Sequence, residues 1–145
     1  MRTGKENYIL GAISLVSNEL NGFCGSFLSD ITFKQWFLLM MISKMEKGEK
    51  SVNLIADFTG TSRQNVKKML VPLEKKGYVS VTDSEKDGRA LSVELTDKTY
   101  KFFFDYDGRI AKATDLLFKS FSDAELDLFV SSFRKIIATL EENEL

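Results

Sequence analysis

From Thr61 to Lys76 the chain reads Thr-Ser-Arg-Gln-Asn-Val-Lys-Lys-Met-Leu-Val-Pro-Leu-Glu-Lys-Lys, with its hydrogen-bonding side chains gathered at the start. Ser62, Arg63, Gln64 and Asn65 would occupy the first turn of a helix, and Lys67 and Lys68 the second. Glutamine and asparagine can pair bidentately with adenine, and arginine with guanine, each pair giving ~1 to 3 kcal/mol of discrimination between bases. Lys67 and Lys68 are suited to phosphates. A second polar set, Lys86, Asp87 and Arg89, lies in a glycine-containing loop. An arginine at such a tip can enter a minor groove, where narrow A·T-rich segments concentrate negative potential. Asp87 would orient Arg89 or pair with a basic side chain of the helix. The plainer readings are caps for Thr61 and Ser62, a solvated face for the lysines and a charged hairpin for the loop.

Other chemistries are poorly supplied. The chain has no histidine, so the commonest general base and metal ligand are missing. Its single cysteine, Cys24, excludes an intramolecular disulfide. No nucleophile-base pair, metal-ligand cluster or phosphate-binding glycine loop is visible, so neither an enzyme nor a metal or cofactor is expected.

The elements that must position these residues are legible nearby. Ser51 can cap a short helix with Val52, Leu54, Ile55 and Phe58 on its buried side, and Thr59-Gly60-Thr61 breaks it. Thr61 and Gln64 form a capping-box pattern for a second helix, in which Val66, Met69, Leu70 and Leu73 repeat on one face. Helices joined so tightly must cross, as in a helix-turn-helix. Ala56, Gly60 and Val66 fit its close approach, its turn and its packing contact. Pro72 removes a backbone donor and predicts a bend. Gly77 ends the helix, and Tyr78–Thr82 and Leu91–Leu95 alternate as half-buried strands around the charged loop. A helix-turn-helix followed by such a ribbon is a winged helix, the loop being its wing.

The flanking sequence is helical. A first helix is expected from Thr3 and Glu6 to about Leu28, with a weak point at Asn21-Gly22 and Gly25. Cys24 sits there with no basic residue close in sequence, and is expected to be a small buried side chain rather than a redox sensor. Thr32 and Gln35 cap a helix apolar on most of its circumference, from Phe33 and Trp36 to Met45. After the wing, Thr96 is placed to cap a long helix. Its Phe102, Phe103, Phe104 and Tyr106 are too many aromatics for one stripe. Ser122 and Glu125 cap a last helix carrying Phe129, Phe133, Ile136, Ile137 and Leu140. A compact winged helix cannot cover that terminal face, which predicts a two-fold dimer with half-sites ~34 Å apart.

Net charge is only −1, but residues 62–77 carry a local balance of +4 and residues 121–145 one of −4. Such separation suggests a basic face toward phosphates and an acidic end away from them. No run reaches the ~18 apolar residues of a membrane span and no leader pattern opens the chain, so a cytoplasmic location is expected.

Trp36, the helix-turn-helix, the Leu-Glu-Lys-Lys-Gly-Tyr-Val run at 73–79, the Lys86-Asp87-Gly88-Arg89 wing and Leu95-Thr96 together resemble the MarR family of bacterial transcriptional regulators. Of the family's wing pattern Asp-x-Arg-Asp-x-Arg, the second half stands as Asp87 and Arg89, while Ser84-Glu85-Lys86 replaces the first. The resemblance implies a dimeric repressor of double-stranded DNA with a pseudo-palindromic operator, released by a small amphipathic effector bound between the dimerisation helices and the winged domain. The expected fold is mainly α with a small two- to three-stranded β-wing. Residues 32–96 would be the winged helix-turn-helix, and 1–31 with 97–145 the helical dimerisation region. The DNA-binding residues would be Ser62, Arg63, Gln64, Asn65, Lys67, Lys68, Lys86, Asp87 and Arg89. The rival reading is a winged-helix protein-interaction module without specific DNA binding, which the near-neutral charge and the half-complete wing pattern favour.

Overall fold

The computed structural model describes residues 3–86 and 88–143. Their order is α1 (Thr3–Gly25), α2 (Phe33–Lys44), α3 (Val52–Thr59), α4 (Arg63–Lys75), β1 (Val79–Asp83), β2 (Leu91–Leu95), α5 (Asp97–Phe118) and α6 (Asp123–Glu142). This is the mainly α, winged helix-turn-helix arrangement that the sequence predicts. The strands pair antiparallel, with Val81 opposite Val93 and Asp83 opposite Leu91. The third strand shrinks to a single bridge between Ser51 and Ser92.

By packing, the chain divides into two units, Met1–Ile110 and Ala111–Leu145, with α5 running across the boundary. The core of the first unit is built by α2, α3, α4 and the ribbon. Leu39, Ile42, Ile55, Val66 and Leu73 have no exposed surface, and Val93 seals them from the sheet side. Of the apolar residues expected on the inner side of α3, Val52 and Ile55 are buried. Leu54 and Phe58 are 52% and 47% exposed, because Ala56 takes the close approach instead. With eight residues, α3 has room for only one narrow buried stripe.

Capping explains most element ends. Thr32 and Gln35 form the expected reciprocal box at the start of α2. The first helix stops at Gly25, short of the expected Leu28. Cys24 is buried, and burial pushes its thiol pKa up, away from thiolate chemistry. Thr96 precedes α5, and its hydroxyl donates to the carbonyls of Gly77 and Tyr78, tying the ribbon's exit back to the end of α4.

The segment between α1 and α2 is fastened to the same place. Tyr78, 2% exposed, donates its hydroxyl to Asp30 Oδ2 at 2.5 Å, and Lys76 donates to the Asp30 carbonyl. Lys98 lies 4.5 Å over the Tyr78 ring, which packs edge to face with Phe102. The Tyr78 hydrogen bond holds the Asp30 carboxyl below its usual range, aided by the charges of Lys76 and Lys98. Burial, then the Asp30 bond, drives the tyrosine pKa upward.

Much apolar surface stays open. On α1, Tyr8, Leu10 and Leu15 are more than 60% exposed, and on α5 Phe104 is 85% exposed. In the second unit, Ser122 and Glu125 form the expected capping box. Among the described residues of α6 none is buried, so Leu128, Ile137 and Leu140 face outward.

Candidate nucleic-acid interface

The turn between α3 and α4 needs one unusual backbone conformation. Gly60 supplies it at φ +67°, where a side chain's Cβ would be strained, and the Thr61 N–H then donates to the Ala56 carbonyl at 3.1 Å. The cap of α4 falls one residue later than expected. Ser62, not Thr61, has the extended backbone of an N-cap, and its Oγ accepts the Asn65 N–H at 3.1 Å. The Thr61 hydroxyl instead accepts from Asn65 Nδ2 at 2.8 Å. Gln64 is therefore not part of a capping box and stays exposed on the outer side of α4.

Beyond the first turn, α4 continues without a break through Pro72 to Lys75, so the proline does not divide it. Val66, Leu70 and Leu73 hold the helix on the core, and Met69 is half-buried. Gly77, at φ +81°, turns the chain into β1, and the Tyr78 N–H donates to the Leu73 carbonyl.

These constraints gather part of the expected set. Arg63 and Lys67, one turn apart on α4, share a cleft of about 580 Å³ with Lys86 and Arg89 of the wing. Its floor comes from Asn53 and Leu54 of α3 and from Leu91 and Ser92 of β2. The Arg63 Nη1 donates to Asn53 Oδ1 at 3.4 Å, which draws the guanidinium toward α3. Four cationic side chains from two elements around one groove can attract phosphates.

Asn65 and Lys68 are elsewhere. A helix rotates by about 100° per residue, so Lys68 diverges from Lys67 and shares a face with Asn65 and Pro72, beside the half-buried Met69. That face borders a second hollow of about 500 Å³, closed by Ser17, Leu20 and Asn21 of α1 and by Phe33 and Phe37 of α2. Ser62 is committed to its cap. Asp87 lies outside the described residues.

Several lining residues escaped the sequence reading. Leu54, expected in the core, lines the cleft, as do Asn53 and Leu91. Asn53 had a signal in the sequence, being a polar residue in the first turn of α3. Glu49 had none: its carboxylate accepts from the Ser84 hydroxyl at 2.5 Å and from the Glu85 N–H at 2.8 Å. The Ser84 bond first, then the Glu85 bond, lowers the Glu49 pKa.

The sequence model of the MarR family matches residues 29–90. An uncharacterised HTH-type transcriptional regulator of Bacillus subtilis, YfiV, is 35% identical over 74 residues, covering 51% of this chain and 45% of its own length. The transcriptional repressor MprA of Escherichia coli is 28% identical over 85 residues, covering 59% of this chain and 48% of its own. The chain thus spans about half the length of the curated relatives it matches. In three dimensions it is similar to a MarR family transcriptional regulator from Streptomyces coelicolor solved in complex with DNA, with a TM-score of 0.82 and 16% identity over 97% of this chain and 91% of that one. At that identity the likeness establishes the shared fold.

Proposed function

We propose, from the match of residues 29–90 to the MarR family model, that the protein regulates transcription by binding double-stranded DNA as a homodimer, and represses until a small amphipathic molecule releases it. The observation that carries this reading is the convergence of Arg63, Lys67, Lys86 and Arg89 on one cleft between α4 and the wing. In such a complex the start of α4 enters the major groove, Gln64 and Asn65 face base edges, and the wing lies along the adjacent minor groove. Ser62 holds the helix start, and Lys68 lies on the opposite flank of α4, at the second hollow.

Dimerisation would cover the apolar residues left open on α1 and α6, among them Leu10, Leu15, Leu128 and Leu140. Sedimentation as a monomer at micromolar concentration would refute it. For an effector, the hollow beside Phe33, Phe37 and Met69 offers aromatic walls with Lys68 and Asn65 at its edge. A molecule seated there would contact α1 and α4 at once. Preferential binding to a conformer unfit for the operator shifts the population away from DNA.

The deciding experiment is selection of bound sites from a random duplex library at about physiological salt, where specific and nonspecific affinities differ by ~10³ or more. A recovered pseudo-palindrome with half-sites one helical turn apart is the expected result. Recovery of no motif would transfer the reading to a protein-interaction module, which the net charge of −1 favours.

A further inference from the structure

Among the described residues lining the cleft between α4 and the wing, Glu49 is the one acidic side chain. A free carboxylate there would oppose the phosphates that Arg63, Lys67, Lys86 and Arg89 are suited to attract. This one is engaged. Its Oε2 takes the Ser84 hydroxyl and its Oε1 the Glu85 N–H, so both oxygens hold the segment that leaves β1 for the wing. Ser84 passes the constraint onward, because its Oγ also accepts the Lys86 N–H at 3.2 Å, and its own N–H closes the wing's neck on the Ala90 carbonyl.

The residues beside Glu49 grip the other strand. The Val93 N–H donates to the Lys50 carbonyl at 2.8 Å, and Ser51 bridges Ser92. Residues 49–51 therefore form a strap from the end of the α2–α3 connection across the root of the ribbon. Its backbone fixes β2, and the Glu49 side chain reaches the start of the loop bearing Lys86.

We propose that Glu49 is a positioning residue for DNA binding, clamping the start of the wing so that Lys86 and Arg89 are presented to the duplex in a fixed place. The proposal rests on the DNA-binding reading above. Ordering the loop that carries these two side chains at the moment of binding would otherwise weaken association, by about tenfold. The sign of the effect is diagnostic: a carboxylate that only repelled phosphates would strengthen binding when removed, whereas a clamp weakens it.

The test measures affinity for the selected operator in a mutant cycle. Glu49→Ala is expected to bind about tenfold more weakly despite the lost negative charge, and Glu49→Gln, which keeps one acceptor, to fall between. In a Lys86→Ala/Arg89→Ala background, Glu49→Ala should have no further effect, while its effect should add to that of Lys67→Ala. In the free protein, amide exchange at Glu85 and Lys86 should quicken in Glu49→Ala. Unchanged or tighter binding by Glu49→Ala, or an undiminished effect without Lys86 and Arg89, overturns the clamp while leaving the DNA-binding reading intact. Absence of any specific binding by the wild type overturns both.

Discussion

Neutralising Lys67 should change the salt dependence of DNA binding by a calculable amount. Lys67 shares its cleft with Arg63, Lys86 and Arg89. Doubled in a two-fold dimer, the set offers about eight phosphate contacts, and at about 0.9 per contact the plot of log affinity against log salt has a slope near −7. Raising salt from about 50 to about 200 mM would then weaken binding about 10⁴-fold. Lys67→Ala removes two contacts per dimer, giving a slope near −5.5 and a loss of only about 10³-fold over the same range. Gln64, uncharged and on the outer face of α4, serves as the contrast. Gln64→Ala should keep the slope and lose discrimination at one base position, by ~1 to 3 kcal/mol. Fluorescence anisotropy with a labelled operator at four or five salt concentrations supplies the slopes. If Lys67→Ala leaves the slope where it was, or Gln64→Ala lowers it as much, the division of α4 into phosphate-facing and base-facing residues is wrong.

Three further outcomes concern the scaffold. Gly60→Ala would hold a side chain at φ +67° with nothing within 4 Å of the new Cβ. Strain of about 1 to 2 kcal/mol, partly offset by a stiffer unfolded chain, should leave a loss near 1 kcal/mol in urea unfolding; Gly60→Asn should lose less, since asparagine tolerates that conformation. Tyr78→Phe should cost about 1 kcal/mol, below the ~1.5 to 3 kcal/mol of a bond to a desolvated charged group, because the Asp30 side chain is 48% exposed and regains water. The folded-state pKa of Asp30 lies below its unfolded value. Its contribution is therefore fully present above the unfolded pKa, near pH 4, and is lost as pH falls through the folded one. Asp30→Asn should lose less stability than wild type between pH 5 and pH 3, and parallel curves would remove Asp30 from the acid response.

The inner face of α4 was legible because burial there follows helical spacing alone: Val66, Leu70 and Leu73 are three or four residues apart and all are buried. The same reasoning failed on α3, since Leu54 and Phe58 also fit a helical stripe, yet the second face of a two-turn helix has no element to cover it. Capping motifs held where a glutamine or glutamate stood three residues on from a single candidate, as at Thr32 and Ser122, whereas the Thr96 hydroxyl turns back to the Gly77 and Tyr78 carbonyls. Where Thr61 and Ser62 competed, the outcome turned on Gly60, whose left-handed conformation brings the Thr61 N–H to Ala56 and leaves Ser62 as the first residue able to cap α4.

The convergence of four cations belongs to a different order of information. Arg63 and Lys67 precede the wing by about twenty residues, and their distance from Lys86 and Arg89 depends on the ribbon's register and on how its root is held. Alternation in the sequence marks the two strands, and the pairing of Val81 with Val93 in the structure sets their register. The hold comes from Glu49, a residue whose type would be read as plain surface charge, acting through a serine thirty-five positions away. Clusters of like charge can be proposed from sequence when they share a helix face. When they share only a cleft, it takes the hydrogen bonds of an intervening residue to say whether the second half of the cluster is aimed at the first, and here those bonds run through a carboxylate that charge counting would have set against the site.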